Sequence, residues 1–142
     1  MCIRDRVYEN PELEIGWEVV HFTDAAQGDP VFGKLASSPG EPSTFFHWHG
    51  ETFDLPVSTS KRATKWLAYS GKTKYQAFCF GVNVYGIQFH PEITPEMIDD
   101  WCAQPANCGD VAAFDHPVNA HAFETSALAR QVLEGWLKVA GF

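Results

Sequence analysis

The run Tyr85-Gly86-Ile87-Gln88-Phe89-His90-Pro91-Glu92 carries an apolar, strand-like stretch straight into a histidine, a proline and a carboxylate. A histidine at the end of a sheet strand stands where α/β folds place their sites. Pro91 fixes its own φ and stiffens the loop, which holds the imidazole in one place. Glu92 is close enough in sequence to accept a hydrogen bond from one ring nitrogen. Such a bond sets the tautomer and leaves the other nitrogen free as a base. The same spacing also suits a loop histidine beside a surface carboxylate.

A second cluster is Phe45-Phe46-His47-Trp48-His49-Gly50-Glu51-Thr52-Phe53-Asp54. His47 and His49 alternate on a strand, share a face and could ligate a metal, with Glu51 and Asp54 as oxygen donors. The pattern resembles a cupin-type His-x-His site, but the downstream glutamate falls too close and the glycine and proline spacing differs. A β-rich metal-binding domain using His47, His49 and His90 is therefore a lower-ranked alternative. The four cysteines, Cys2, Cys79, Cys102 and Cys108, form no CxxC pair and are too few for a disulfide scaffold. Cys79 lies in a strand-like run, where burial raises a thiol pKa and makes it inert.

The elements that must position these residues follow from local pattern. Strands are expected over Trp17–Phe22, Ser43–Trp48, Thr64–Tyr69, Tyr75–Phe80 and Asn83–Phe89, the last two as a hairpin about Gly81-Val82. Thr23 to Pro30 is turn-rich, Val31 to Leu35 reads as one helical turn, and Ser37 to Ser43 reads as a loop. Thr94-Pro95 is an N-cap with proline at the first helical position, opening a helix that ends at Cys102. Ser126 to Val139 is the strongest helix, with Gly141 as its C-terminal cap. Near-continuous apolar strands followed by helices indicate an α/β layer structure, a mixed sheet with packed helices.

Composition bounds the rest. The 142 residues suit one domain, with 45% hydrophobic and 20% charged residues. Ten Lys and Arg against 18 Asp and Glu give a net charge of −8, the wrong sign for a nucleic-acid binder. No apolar run reaches the roughly 18 residues of a membrane span, and the N-terminus shows no secretory signal. A cytoplasmic protein is expected. Residues 1–6 carry three charges and no period, and read as a non-native remnant ahead of one unit over 7–142.

Several segments recur in this order in one family: Glu14-Ile15-Gly16-Trp17, Asp29-Pro30-Val31-Phe32, His49-Gly50-Glu51-Thr52-Phe53-Asp54-Leu55-Pro56, Gln76-Ala77-Phe78 and Gly86-Ile87-Gln88-Phe89-His90-Pro91-Glu92. The chain resembles the C-terminal part of a class I glutamine amidotransferase, in the subgroup similar to the GMP synthase amidotransferase domain. The resemblance covers Val7 to Trp101. It implies a partial flavodoxin-like α/β fold and a Cys-His-Glu triad that releases ammonia from glutamine to a synthase partner. No cofactor or metal is expected in that chemistry. His90 is then the base, Glu92 its orienting partner, and His49-Gly50-Glu51 the segment whose backbone holds the amino-acid end of glutamine. Family members usually carry Asp where this chain has Glu51. The nucleophile of such enzymes lies on a Gly-x-Cys-x-Gly elbow upstream of the Glu-Ile-Gly-Trp segment, and none is present. The expectation is an inactive fragment of a catalytic domain. An amidotransferase-like binding module that never had a nucleophile is the other alternative.

Overall fold

The computed structural model describes residues 6–37, 43–111 and 121–142. Its strands are β1 (Val7–Phe22), β2 (Ser43–Phe53), β3 (Thr64–Tyr69), β4 (Ala77–Phe80) and β5 (Val84–Ile87). The helices are α1 (Asp24–Gln27), α2 (Gly33–Ala36), α3 (Pro95–Cys102), α4 (Cys108–Val111) and α5 (Ala122–Ala140), with a 3₁₀ turn over Pro105–Asn107. The five strands lie in the order β2-β1-β3-β4-β5. Each ladder is antiparallel, where a mixed sheet was expected, so the described residues contain no parallel pair.

β3 has the bounds the sequence indicates, and β4 and β5 form the expected hairpin. β1 is much longer than expected. Its first half carries Pro11 among charged residues. The strand absorbs it in an irregularity between Glu9 and Glu14, where the register against β2 shifts. Gly16 adopts φ +104°, a conformation that only glycine takes at low cost. The end of β1 leaves β2, and His21 and Phe22 pair with β3 instead. Residues 1–5 of the expected N-terminal remnant lie outside the described residues, while the Arg6 carbonyl already accepts a hydrogen bond from the Asp54 amide at 2.8 Å.

Phe45 and Phe46 are consecutive and both fully buried, which requires cover on both faces of β2. Phe45 joins Val20, Phe32, Leu67, Phe89 and Val132 in the larger core, against α2 and α5. Phe46 joins Trp17, Ile93 and Ile98 in a smaller core under α3. The Thr94 hydroxyl accepts from the Met97 amide, the expected N-cap of α3. α5 starts earlier than expected, at Ala122. Within it the buried Thr125 hydroxyl donates to the Thr44 carbonyl of β2. At the other end Gly141 is left-handed at φ +89°, with its amide on Lys138 and the Phe142 amide on Leu137. Of the expected loop over Ser37 to Ser43, residues 38–42 lie outside the described residues.

Candidate functional site

β5 ends at Ile87, and the chain continues through Gln88 and Phe89 before His90 bridges to β2. The His90 amide donates to the Phe46 carbonyl at 2.8 Å. The backbone of the histidine is thus tied to a strand far from it in sequence. Its ring meets Trp101 edge to face, at 5.1 Å between centroids, so α3 limits its rotation. His90 Nδ1 lies 2.8 Å from Glu92 Oε1. That hydrogen bond is the main reason the Glu92 carboxyl is held below its ordinary range. An ionised carboxylate only accepts, so Nδ1 carries the proton and Nε2 of a neutral ring holds the lone pair. Both side chains reach solvent, His90 at 26% and Glu92 at 56% exposure.

His49, Gly50 and Glu51 lie in β2 opposite the irregular part of β1. Glu14 pairs with His49 and Glu9 with Glu51, while Gly50 has no partner in the ladder. Gln88 joins this segment to the His90 loop: its Nε2 donates to the Glu51 carbonyl at 2.7 Å, and its Oε1 accepts from the Thr52 hydroxyl at 3.0 Å. Sequence reasoning assigns Gln88 no role of its own. Its polar amide within an otherwise apolar run is the signal that could have found it.

Sequence reasoning finds half of a further group, His47 and His49, and misses Glu14 and Gln76 as their partners. Glu14, His47 and Gln76 are all fully buried, and His49 is 12% exposed. Gln76 Nε2 donates to Glu14 Oε2 at 2.7 Å and lies 3.1 Å from Ser70 Oγ. His49 Nε2 stands 3.1 Å from the same carboxylate oxygen and His47 Nδ1 3.8 Å from it. Neither contact is aligned as a hydrogen bond, and among the described residues both His47 ring nitrogens, His49 Nε2, Glu14 Oε1 and Gln76 Oε1 are buried without a hydrogen-bond partner. Burial pushes the His47 pKa down to about 4, so its ring is neutral at pH 7. Burial alone would raise the Glu14 carboxyl. The close approach of His49 and the neighbouring His47, Ser70 and Thr73 outweigh it and hold the group at about 2.

His47 and His49 therefore do share a face and meet a carboxylate, as their spacing allowed. The carboxylate is Glu14 from β1 and not Glu51 or Asp54, and among the described residues His90 stands outside this cluster. The signal that could have found Glu14 is a charged residue just ahead of the apolar stretch Ile15-Gly16-Trp17.

The described cysteines are Cys79, Cys102 and Cys108. Cys79 is buried in β4 with its sulfur against the Gly81 carbonyl, and burial raises its pKa. Burial raises the Cys102 thiol as well. Cys108 is exposed at the start of α4. No described helix is long and apolar enough to cross a membrane.

No protein-family model matches the sequence, and neither does any curated protein. Solved structures do match the fold. A glutamine amidotransferase from Thermotoga maritima aligns over 99% of this chain and 56% of its own, at TM-score 0.67 and 21% identity. A glutamine amidotransferase from Methylobacillus flagellatus aligns over 96% and 57%, at TM-score 0.70 and 20% identity. A putative GMP synthase subunit from Thermoplasma acidophilum aligns over 96% and 48%, at TM-score 0.57 and 13% identity. The chain thus has a class I glutamine amidotransferase-like fold and spans about half the length of these structures.

Proposed function

We propose that residues 7–142 are the C-terminal portion of a class I glutamine amidotransferase domain, which hydrolyses the side-chain amide of glutamine and supplies the ammonia to a synthase domain or partner chain. The observation that carries this reading is the 2.8 Å contact between His90 Nδ1 and Glu92 Oε1, at the end of a sheet strand in an amidotransferase-like fold. An oriented imidazole with one free nitrogen is what acyl transfer needs from its base.

The nucleophile in this reading is a cysteine on an elbow carried by a segment outside this chain. His90 Nε2 takes the thiol proton, and the resulting thiolate attacks the amide carbon of glutamine. The C–N bond breaks as His90 gives the leaving nitrogen a proton, and ammonia departs from a thioester. His90 Nε2 then takes a proton from water, whose oxygen attacks the thioester to release glutamate and the thiol. Glu92 keeps the ring in one tautomer and stabilises its charged form. The backbone around Gly50, unpaired in the ladder, is the natural holder for the amino-acid end of the substrate. Gln88 fixes that segment relative to His90.

The test is ammonia release from glutamine by a longer polypeptide that carries the upstream Gly-x-Cys-x-Gly segment. Turnover is expected there and is abolished by His90→Ala. The 142-residue chain alone is expected to show none above background. Glutaminase activity in the short chain, or full activity of the longer one with His90 replaced, overturns the reading.

A further inference from the structure

We propose that Glu14, His47 and His49 bind one first-row divalent metal ion, zinc in the first instance, on the inner face of the β1–β2 ladder. This site is separate from the His90–Glu92 pair and does not depend on the glutamine reading.

The donor set comes first. One carboxylate oxygen and two imidazole nitrogens lie within 4.8 Å of one another, so small side-chain adjustments bring all three onto a single ion. Two nitrogens and one oxygen are a set that zinc accepts, while calcium and magnesium prefer all-oxygen sites. The ligands stand on paired strands and not on loops. Glu14 is the direct register partner of His49, and His47 follows on the same face of β2.

The second argument is the tautomer of His49. Its Nδ1 lies 3.0 Å from the Glu51 carbonyl oxygen, which can only accept, and 3.5 Å from Gln88 Nε2, which can only donate; the shorter contact assigns the proton to Nδ1, and Gln88 Nε2 already donates to the Glu51 carbonyl. In the neutral ring Nε2 is then a lone pair, and it stands 3.1 Å from a carboxylate oxygen without the alignment of a hydrogen bond. Two lone pairs at that distance repel unless a cation lies between them, either a second ring proton or a metal ion, and a metal ion also engages His47 and the same carboxylate. A metal-bound histidine has this arrangement: its second nitrogen donates to a backbone carbonyl, which orients the ring and raises its basicity.

The third is unmet hydrogen bonding. Both His47 ring nitrogens and Glu14 Oε1 are buried without partners, in a side chain that is fully enclosed in each case. Folded proteins rarely leave such groups unpaired. A bound ion accepts one electron pair from each of the three side chains. Gln76 supplies an outer contact, holding Glu14 Oε2 at 2.7 Å while itself anchored at Ser70. A water would complete four-coordination.

The experiment strips the 142-residue chain with a chelator and titrates it with Zn²⁺ by calorimetry and with Co²⁺ by visible absorption. One ion per chain is expected, with the intense bands of four-coordinate cobalt, and zinc displaces the cobalt. His49→Ala and Glu14→Gln each lower affinity at least about tenfold. The exposed controls His21→Ala and Cys108→Ser leave it unchanged. Because buried substitutions can unfold the chain, the unaltered protein is also followed by imidazole ¹⁵N resonances. Zinc is expected to shift one nitrogen each of His47 and His49, and neither nitrogen of His90. No uptake, uptake indifferent to His49→Ala and Glu14→Gln in folded protein, or a zinc-free spectrum with His49 doubly protonated and unmoved by zinc overturns the proposal.

Discussion

Two clusters of histidine and glutamate in this chain reach opposite solutions to the same chemistry. His90 and Glu92 form a satisfied pair that is open to water, made from residues of one loop. Glu14, His47 and His49 form an enclosed group with several unpaired atoms, assembled from two strands and braced by Gln76 across 62 positions. An exposed pair is screened by solvent, so its removal costs little stability, yet its free nitrogen can meet a substrate. An enclosed group with unmet hydrogen bonds is costly to disturb and cannot exchange protons freely with solvent. The comparison separates an open pair with its hydrogen bond met from an enclosed group with several bonds unmet.

The largest expected effect is catalytic. In the longer polypeptide, His90→Ala should lower ammonia release roughly 10³-fold or more while leaving the unfolding midpoint almost unmoved. Parallel kinetics and urea titrations check both halves. A large stability loss at His90 would erase the contrast between the clusters.

Next is Glu14→Ala. Removing a buried carboxylate leaves one of the two Gln76 Nε2 hydrogens without its acceptor and the His49 ring unopposed, at a cost of about 3 kcal/mol in unfolding free energy. Glu92→Ala under the same urea titration should cost under about 1 kcal/mol, because that carboxylate is more than half exposed. Equal losses at the two glutamates would defeat the distinction.

His47→Leu sharpens the enclosed side. The leucine removes two unpaired buried nitrogens and keeps an apolar body beside Phe89, whose ring centroid stands 6.2 Å from that of His47. In chelated protein the stability should stay within about 1 kcal/mol of the parent. A loss as large as that of Glu14→Ala would mean that the imidazole has a protein partner.

The smallest effect is a pH slope at Glu92. Its folded pKa is depressed below the ordinary 4.5, so the unfolded state binds the proton more readily. The contribution is therefore complete above about 4.5 and is lost as pH falls through the lower folded value. Solvent screening keeps it under about 1 kcal/mol. Urea midpoints compared between about pH 6 and pH 3 should fall less steeply in Glu92→Gln than in the parent. An unchanged slope would remove the ion pair from the account of the open site.

What the sequence alone determined about this chain is what neighbours in sequence decide. Thr64–Tyr69 forms its strand, Thr94 caps α3, Gly141 closes α5, and Glu92 reaches back to His90, because each rests on a local dihedral preference or a contact within a few residues. The Cβ alternation of β2 likewise put His47 and His49 on one face before any partner was known. Only the tertiary structure decided what they face. The β1 irregularity at Glu9–Glu14 sets the register, and that register lays Glu14 opposite His49. A shift of one residue would turn Glu14 to the other side of the sheet. The β1–β3 and β3–β4 pairings bring Gln76 to Glu14, while the Phe46 bridge and the Gln88 side chain fix the His90 loop against β2. These contacts join residues distant in the chain, and no local propensity encodes them; they follow from strand order, register and the burial of both sheet faces.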